Sequence, residues 1–240
     1  MGSEKDTCFS FKEGEVLLVN KPQTWTSFQA VNCIKYAVKH CTGEKKIKVG
    51  HAGTLDPLAS GLLIICTGKQ TKQIESYQAK EKEYTGTFVI GQSTPCGDLE
   101  KEVDKEWNID HINPEMLEES RVKYLGKIQQ TPPIFSAVKV DGKRAYDYAR
   151  SDQDVKLKSR EIEIFDFEIT RVEMPEVDFR VVCSKGTYIR SLAIDFGKSL
   201  GVGAYLKNLC RTRIGDFKLQ DSWELEELKE VIREQKEKNI

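Results

Sequence analysis

Four short stretches of the chain carry side chains whose types and spacing could perform chemistry on a substrate. The first is residues 50–61, Gly-His-Ala-Gly-Thr-Leu-Asp-Pro-Leu-Ala-Ser-Gly, in which Pro57 follows Asp56. Glycine permits tight turns and proline fixes its own φ angle, so the pattern predicts a stiff loop that presents a carboxylate. A reactive carboxylate needs such a support. The alternative is that Asp56 only caps a turn.

The second stretch is residues 185–190, Lys-Gly-Thr-Tyr-Ile-Arg. Gly186 is predicted to end a strand and Thr187 to cap the following helix, which places Arg190 in the first helical turn. A carboxylate in a closed pocket needs a compensating charge, and a guanidinium supplies it through two hydrogen bonds. Asp56 and Arg190 are therefore a candidate pair, although Arg190 could also be an ordinary exposed helix residue.

The third stretch is residues 82–84, Lys-Glu-Tyr, at the start of a predicted strand, and the fourth is residues 131–146. Tyr84 and the aromatic side chains of the fourth stretch suit stacking on unpaired bases, and Lys139 and Arg144 suit contacts with phosphates. The alternatives are core packing for the aromatic side chains and plain surface charge for the basic ones.

The elements that must position these stretches can be predicted from hydrophobic periodicity and turn signals. Strands are predicted at residues 15–19, 61–66, 84–90, 161–172 and 177–183. Helices are predicted after Ser27 as the cap, after Pro114, from Thr187, and at about 223–238. Because strands and helices do not alternate regularly, the pattern favours an α+β fold with a mixed, mainly antiparallel sheet over a doubly wound parallel sheet.

The 240 residues are 39% hydrophobic and 31% charged, which is typical of a globular protein able to bury its own core. No linker rich in Pro, Gly or Ser interrupts the chain, so we expect one catalytic domain over residues 1–240. Residues 124–152 are predicted to protrude from it as a loop, because they contain paired prolines and a basic cluster.

The charge is unevenly distributed. The net charge of −1 excludes a uniformly basic nucleic-acid-binding protein. Residues 35–50 and 185–213 are nevertheless basic, whereas residues 98–119 and 221–230 are acidic. These runs indicate local basic and acidic faces, or simply solvated surface.

Seven cysteines without a C-x-x-C pair and three histidines without metal-ligand spacing indicate neither a disulfide framework nor a metal site. A thiol enzyme is disfavoured, because no cysteine has a histidine at a recognisable spacing. The longest apolar run, residues 62–66, is too short to span a membrane, and the N-terminus lacks the apolar segment of a secretory signal. We therefore expect a reduced, cytoplasmic protein.

Taken in order, the motifs resemble the TruB family of pseudouridine synthases, which isomerise uridine in the T-arm of tRNA. The motifs that carry the resemblance lie between about residues 15 and 215, and are Lys21-Pro22, His51–Gly61, Tyr84, Thr131–Tyr146, Gly186–Arg190 and Leu209–Arg213. The string H-x-G-x-L-D-P-x-A-S-G is the longest and most specific of them.

The resemblance implies a mixed sheet with flanking helices and a central active-site cleft. It makes Asp56 the catalytic aspartate, Arg190 its ion-pair partner and Tyr84 the residue that stacks on the target base. It places His51 against the T-loop, where the target base leaves its stack. It further implies substrate-binding roles for a set of residues around the site, namely His51, Tyr188, Leu209, Lys21, Lys139, Arg144 and Arg211.

The resemblance also implies uridine 55 of the tRNA T-arm as the target, with no cofactor. We expect a monomer that needs no protein partner and no membrane. The sequence departs from the family pattern in two ways. We expect the C-terminal PUA-type domain that many members carry to be absent, and Cys210 stands where a basic residue usually precedes Arg211. The alternatives are a non-catalytic RNA-binding or tRNA-folding protein, and a relative that modifies rRNA or works in a guide-RNA particle.

Overall fold

The computed structural model describes residues 8–136, 138–140, 142–145, 148 and 157–238. Its strands are β1 (Val16–Lys21), β2 (Val49–His51), β3 (Ala59–Thr67), β4 (Lys82–Ile90), β5 (Gln92–Ser93), β6 (Lys105–Glu106), β7 (Gly126–Gln130), β8 (Lys139–Val140), β9 (Lys143–Arg144), β10 (Arg160–Glu173), β11 (Glu176–Cys183), β12 (Ala204–Ile214), β13 (Phe217–Lys218) and β14 (Trp223–Glu224). Its α-helices are α1 (Ser27–Thr42), α2 (Ile74–Ala79), α3 (Pro114–Val122), α4 (Ile189–Ser199) and α5 (Leu225–Lys238). Two short 3₁₀ helices cover Gly68–Gln73 and Leu219–Asp221.

The chain forms two compact units. The first contains the residues up to Lys80 and those from Cys210 onward, and the second contains Glu81–Leu209. Strand β12 contributes to both units, because the boundary falls within it. The single catalytic domain expected over residues 1–240 stays a prediction.

In the first unit, β1 lies between β14 and β3. It runs antiparallel to β3, with Val19 opposite Leu63, and parallel to β14, with Val19 opposite Trp223. Strand β2 pairs with β3 in the antiparallel sense, and β13 forms a hairpin with the end of β12. Both faces of β3 are covered, by Leu63 and Ile65 in one cluster and by Leu62 and Ile64 in the other. This explains why β3 has a continuous apolar sequence rather than an alternating one.

Helix α1 covers one face of this sheet. It begins with a capping box, in which the Thr26 hydroxyl accepts a hydrogen bond from the Gln29 N–H and the Gln29 side chain accepts one from the Thr26 N–H. It ends at Gly43, whose φ of 69° is a left-handed conformation that favours glycine. Its buried stripe packs against β1, β3 and α5 and contains Ala30, Val31, Ile34 and Val38. The spacing of that stripe is the period of an amphipathic helix.

In the second unit, the strand order β4–β11–β10–β7 is antiparallel throughout. Phenylalanines form the centre of its core. The ring of Phe88 stacks on that of Phe179 with 4.1 Å between centroids, and Phe167 meets Phe196 edge to face at 5.9 Å. Helix α4 thus packs through Phe196 on the sheet that holds β4 and β11.

The predicted α+β fold with a mixed, mainly antiparallel sheet is confirmed. The predicted strands and helices are present, with bounds that differ by a few residues. The two predicted helix caps are wrong. Thr26 caps α1 in place of Ser27, and Tyr188 precedes α4 in the cap position in place of Thr187, whose hydroxyl donates to the Ser184 carbonyl.

Part of the predicted protrusion at residues 124–152 lies outside the described residues. The described part contains β7 and a hairpin in which β8 pairs with β9 around a turn at Gly142, as the turn signal there predicts. Whether the segment protrudes stays a prediction. Within the described ranges, no helix combines the length and the hydropathy that a bilayer-spanning helix requires.

Candidate active site

Asp56 lies on the loop that connects β2 to β3, in the first unit. The loop is short and hydrogen-bonded at both ends. The Ala52 N–H donates to the Ile64 carbonyl at 2.9 Å, and the Ala59 N–H donates to the Asp56 carbonyl at 3.1 Å. Gly53 has a φ of 103°, which favours glycine there. Asp56 itself is half-buried.

The residue before Asp56 is fixed to the first turn of α1. The Ser27 hydroxyl accepts a hydrogen bond from the Leu55 N–H at 2.8 Å and donates one to the Leu55 carbonyl at 3.1 Å. Both side chains are buried. Because both backbone groups of Leu55 bond to one hydroxyl, the loop cannot move away from α1 without breaking two buried hydrogen bonds.

The residue after Asp56 is fixed by the turn that follows β1. The Thr24 N–H donates to the Pro57 carbonyl at 2.8 Å, and Thr24 has a φ of 72°, which is uncommon for a residue other than glycine. The Lys21 ammonium reaches the same carbonyl at 3.4 Å and donates to the carbonyls of Trp25 at 2.6 Å and Pro22 at 2.9 Å. The backbone on each side of Asp56 is therefore held from outside the loop.

Lys21 is fully buried, and its burial lowers its pKa to about 8. The negative charge of Asp56 opposes this lowering, and the positive charge of Arg211 adds to it. Lysine thus supplies a buried positive charge near Asp56 from within the first unit. The predicted contact of Lys21 with substrate stays a prediction.

Arg211 holds the other side of the loop. Its Nε donates to the Leu62 carbonyl at 2.8 Å and its Nη2 to the Gly53 carbonyl at 3.2 Å, and the side chain is 1% exposed. Gly61 on β3 lies so close to β12 that a Cβ atom at Gly61 would be 2.5 Å from the Arg211 carbonyl oxygen. Gly61 also has a φ of 104°, so it meets two separate requirements for glycine. The predicted role of Arg211 in binding substrate stays a prediction.

His51 ends β2, immediately before this loop, and is half-buried. Its Nδ1 atom is buried and has no hydrogen-bond partner among the described residues. Burial lowers the pKa of its imidazole, which favours the neutral form at pH 7. The neutral imidazole has one donor and one acceptor nitrogen, and its buried Nδ1 is not accessible to a ligand in this conformation.

Arg190 lies in the second unit, in the first turn of α4 as predicted, and is 4% exposed. Its Nη1 donates to the Cys96 carbonyl at 3.3 Å and its Nη2 to the Phe135 carbonyl at 2.9 Å. Its Nε lies 3.4 Å from Oδ2 of Asp98, which is also buried. The alternative of an exposed helix arginine is therefore wrong.

The sequence pattern did not indicate Asp98 as a partner of Arg190. Asp98 is held in turn by the Glu100 N–H and the Cys96 thiol, each of which donates to Oδ1 at 3.0 Å. The available signal was a single acid in a Thr/Cys/Gly segment, beside an acidic run that is otherwise exposed. The predicted pairing of Arg190 with Asp56 stays a prediction.

Two predicted tyrosines also lie in the second unit. Tyr188 precedes α4, and its N–H and carbonyl both bond to the buried Gln130 side chain, at 2.8 and 3.0 Å. The Arg160 guanidinium lies over the Tyr188 ring, 4.9 Å from its centroid. Tyr84 lies on β4 opposite Val181 and is 9% exposed. Both tyrosines are thus held in place by regular structure.

The remaining predicted residues are placed less completely. Leu209 is half-buried on β12. Lys139 and Arg144 face each other in the β8–β9 pairing, but their side chains, like all of Tyr146, lie outside the described residues. Among the residues that the structure describes, no three side chains of His, Cys, Asp or Glu form a group able to hold a metal ion. The expected independence of cofactors stays a prediction.

The structure thus brings four predicted residues together around one loop of the first unit, Lys21, His51, Asp56 and Arg211. In the second unit it places Tyr188 and Arg190 at the start of α4 and Tyr84 on the sheet. The loop offers a rigidly supported carboxylate, and the second unit offers a buried guanidinium and a tyrosine on a central strand.

Family models match the chain along most of its length. The model described as the TruB family pseudouridylate synthase (N terminal domain) matches residues 39–189. The model described as the tRNA pseudouridylate synthase B C-terminal domain matches residues 190–240.

Similar proteins cover nearly the whole chain. A protein of Flavobacterium johnsoniae named tRNA pseudouridine synthase B is 53% identical, over 93% of this chain and 98% of that protein. A protein of the same name from Phocaeicola vulgatus is also 53% identical, over 94% and 96%. Among solved structures, a chain of a Cbf5-Nop10-Gar1 complex is 29% identical with a TM-score of 0.72, and the match covers 96% of this chain and 57% of that one.

Proposed function

Because the chain belongs to the TruB family of pseudouridylate synthases, we propose that it isomerises uridine to pseudouridine in tRNA. The observation that carries the proposal is the loop of Asp56. Asp56 lies between Leu55 and Pro57. Ser27 fixes the backbone of Leu55, and Thr24 and Lys21 fix that of Pro57. A group that must attack or deprotonate a substrate in one defined position needs this kind of support.

The proposed target is uridine 55 in the T-loop, as the sequence motifs imply. A uridine stacked in a folded loop must be extruded before its sugar and both faces of its base become accessible, at a cost of a few kcal/mol. We propose that two contacts offset this cost: stacking of the base on Tyr84, and occupation by His51 of the space that the base vacates.

The reaction breaks the bond between C1′ of the ribose and N1 of uracil and forms a bond between C1′ and C5 of the same base. The proton on C5 leaves and N1 ends with a proton, so the product is an isomer of the substrate and no electrons are gained or lost. Asp56 has three possible roles: it attacks the sugar, attacks the base, or removes a sugar proton. The final loss of the C5 proton needs a base, and Asp56 and Tyr84 are the candidates.

Arg190 is proposed as the cation that orients Asp56 in the working enzyme. A guanidinium suits this role, because it presents several donors in one plane and keeps its charge when it is buried. The three contacts of Arg190 with Cys96, Phe135 and Asp98 support the proposal, since they fix its side chain inside the second unit. Leu209, Tyr188, Lys139 and Arg144 are proposed to contact the RNA.

We also propose that the protein works in the cytoplasm as a monomer and without a protein partner. Light scattering during size-exclusion chromatography checks the monomeric state, for which a mass near 27.3 kDa is expected from the sequence. A mass of twice that value or more would contradict it.

The decisive experiment measures release of tritium from tRNA transcripts that contain uridine labelled at C5. Isomerisation replaces the C5 proton by the bond to C1′, so each turnover releases one label. Tritium release from the tRNA, with the product mapped to position 55, supports the proposal. Binding without release would favour a non-catalytic RNA-binding protein, and release from rRNA but not from tRNA would favour a relative with another substrate.

A further inference from the structure

A cavity of about 310 Å³ in the first unit is lined by lysines that come from three separate parts of the chain. We call it the lysine cavity. Its charged lining residues are Lys12, Glu44, Lys46, Lys48, Lys69 and Lys72, and the rest of its lining is Ile47, Gly68 and Thr71. Five positive charges and one negative charge therefore face one small volume.

Two of these lysines are neutralised by ion pairs. The Lys12 ammonium lies 2.8 Å from a carboxylate oxygen of Glu44, and the Lys69 ammonium lies 2.5 Å from one of Glu13. The other three lysines of the cavity, Lys46, Lys48 and Lys72, have no ion pair among the residues that the structure describes. Like charges placed together without compensation repel each other, and they create a positive potential that attracts an anion.

The backbone beneath these lysines is fixed. The Gly68 N–H donates to the Lys48 carbonyl at 3.0 Å, and the Thr71 hydroxyl donates to the Gly68 carbonyl at 2.8 Å. At Gly68 a Cβ atom would lie 2.5 Å from the Lys12 carbonyl oxygen. The three segments that supply the lysines are thus in direct backbone contact, so the positive charges are brought together by the fold.

The lysine cavity and the Asp56 loop lie at opposite ends of β2. Lys48 immediately precedes β2 and His51 ends it, immediately before the loop. At the usual rise of a strand, three residues separate Lys48 from His51 by ~10 Å. An anion held by the lysines would therefore be within a few nucleotides of a base held at the loop.

We propose that the lysine cavity binds the phosphodiester backbone of the RNA substrate beside the target uridine. The inference rests on the proposed function and names a second contact for the same substrate. Apart from the lysines and Glu44, whose carboxylate is paired with Lys12, the lining offers only Ile47, Gly68 and Thr71. The Thr71 hydroxyl already donates to the Gly68 carbonyl. None of the described residues that line the cavity has an aromatic ring or an amide side chain to read a base, so the contact is with phosphates and is independent of sequence.

The test compares wild type with the triple variant Lys46→Gln, Lys48→Gln, Lys72→Gln in binding to a T-arm RNA hairpin. Each phosphate contact contributes about 0.7 to 0.9 to the slope of log K against log salt concentration. We expect the slope to be smaller in magnitude by about 2 for the triple variant than for wild type, because three contacts are removed. The control Lys101→Gln, Lys105→Gln, Lys123→Gln removes the same charge from exposed positions of the second unit, and should keep the wild-type slope.

A second arm identifies the contacted phosphates. Single phosphates of the hairpin are replaced by neutral methylphosphonates, and the dissociation constant is measured for wild type and for the triple variant. We expect one or more positions near the target uridine at which the replacement weakens binding to wild type but not to the variant. A direct contact between a lysine of the cavity and that phosphate predicts this result, because the contact is already absent in the variant and cannot be lost again.

An equal salt slope for wild type and the triple variant, or no position with this difference, would overturn the inference even if tritium release proves the isomerase activity. If instead no activity is found but both effects are seen, the proposed reaction fails and the RNA contact stands. Thermal unfolding of each variant shows whether it is folded, and the single variant Lys72→Gln, at an exposed residue, repeats the test if the triple variant is not.

Discussion

Arg190 and Asp98 form a buried ion pair in the second unit, with Nε 3.4 Å from Oδ2 and each side chain 5% exposed. Removing two charges from water is costly, and their attraction offsets the cost only when further hydrogen bonds satisfy them. Both residues have such bonds, to backbone groups of Cys96, Phe135 and Glu100. Asp98 therefore fixes a guanidinium that the proposed reaction requires.

The change Asp98→Asn should destabilise the protein and lower the rate. Breaking a buried ion pair by removing one partner costs about 3 to 5 kcal/mol. Urea unfolding measures the stability, and single-turnover tritium release measures the rate. The control Glu100→Gln neutralises an exposed carboxylate two residues away and should change the stability by less than about 0.5 kcal/mol. Equal stabilities for the two variants would mean that the pair contributes nothing.

The change Asp56→Asn should abolish turnover while leaving the fold and RNA binding intact. The amide has the same shape but is neither a nucleophile nor a base, so we expect the rate to fall by at least ~10³. Single-turnover tritium release provides the rate, and filter binding provides the affinity for tRNA. The control Asp221→Asn changes an exposed aspartate of the first unit and should retain the wild-type rate. A tenth of the wild-type rate in Asp56→Asn would contradict the catalytic role.

The change Arg190→Lys should lower the rate strongly although it preserves the charge. Lysine has one charged nitrogen, whereas Arg190 uses three nitrogens for separate partners. We expect kcat to fall more than KM rises, because the affected group acts on the reacting centre. A rate equal to that of wild type would remove Arg190 from the mechanism.

The change Ser27→Ala should loosen the loop that carries Asp56. It leaves the buried N–H and carbonyl of Leu55 without their partner, which costs about 1 to 3 kcal/mol. Urea unfolding checks the stability, and kcat checks the position of Asp56. The matched control is Ser76→Ala, at an exposed serine of α2. If Ser27→Ala and Ser76→Ala were equally stable and active, Ser27 would not hold the loop.

The pKa of Lys21 gives a dependence of stability on pH. Its pKa is 10.5 as a reference and about 8 in the folded protein, so the unfolded chain binds more protons between these values. The contribution of Lys21 to the free energy of unfolding therefore rises with pH across that window, by ~3 kcal/mol in total. Below pH 8 the folded protein must bury a charged ammonium, so the destabilisation is complete there.

The difference in unfolding free energy between wild type and Lys21→Met isolates this effect, since other titrations cancel. It should shift in favour of wild type as pH rises from about 7 to about 10.5. The variant Lys218→Met, at an exposed lysine, should show no such shift. A difference that is constant with pH would show that Lys21 is not depressed in pKa.

Local patterns were sufficient to predict most of the fold. The apolar run of β3, the alternation of β11 and the stripe of α1 each carry the period of their own element. Strand β12 was not predicted, because its sequence mixes Asn208, Cys210 and several basic residues and has no clear period. Apart from its hairpin with β13, it contacts residues that are distant in the chain, as Arg211 contacts the Leu62 carbonyl, and only the folded structure brings them together.

The candidate site could be predicted only in part. Asp56 is indicated by a stretch with three glycines and Pro57, and Arg190 by its position in the first helical turn after the strand end at Gly186. Their supports are not indicated, since a hydroxyl such as that of Ser27 and a carboxylate such as that of Asp98 have no distinctive neighbours in sequence. Both caps were misplaced for a related reason: Ser27 and Thr187 use their hydroxyls for other partners. Competition between two possible partners for one side chain cannot be decided from local sequence.

The close approach of Gly61 to the backbone of Arg211 has a consequence for random mutagenesis. Every side chain at position 61 would place its Cβ atom 2.5 Å from the Arg211 carbonyl oxygen, which is closer than van der Waals contact allows, and would also require a disfavoured φ. Clones that carry such changes should therefore disappear from a selection because the polypeptide is degraded or aggregates, and immunoblots should show little intact protein. Clones changed at Asp56 should instead accumulate normally and fail only in function. Protein abundance, measured beside activity, would thus separate two neighbouring positions that a survival screen alone reports as equally intolerant.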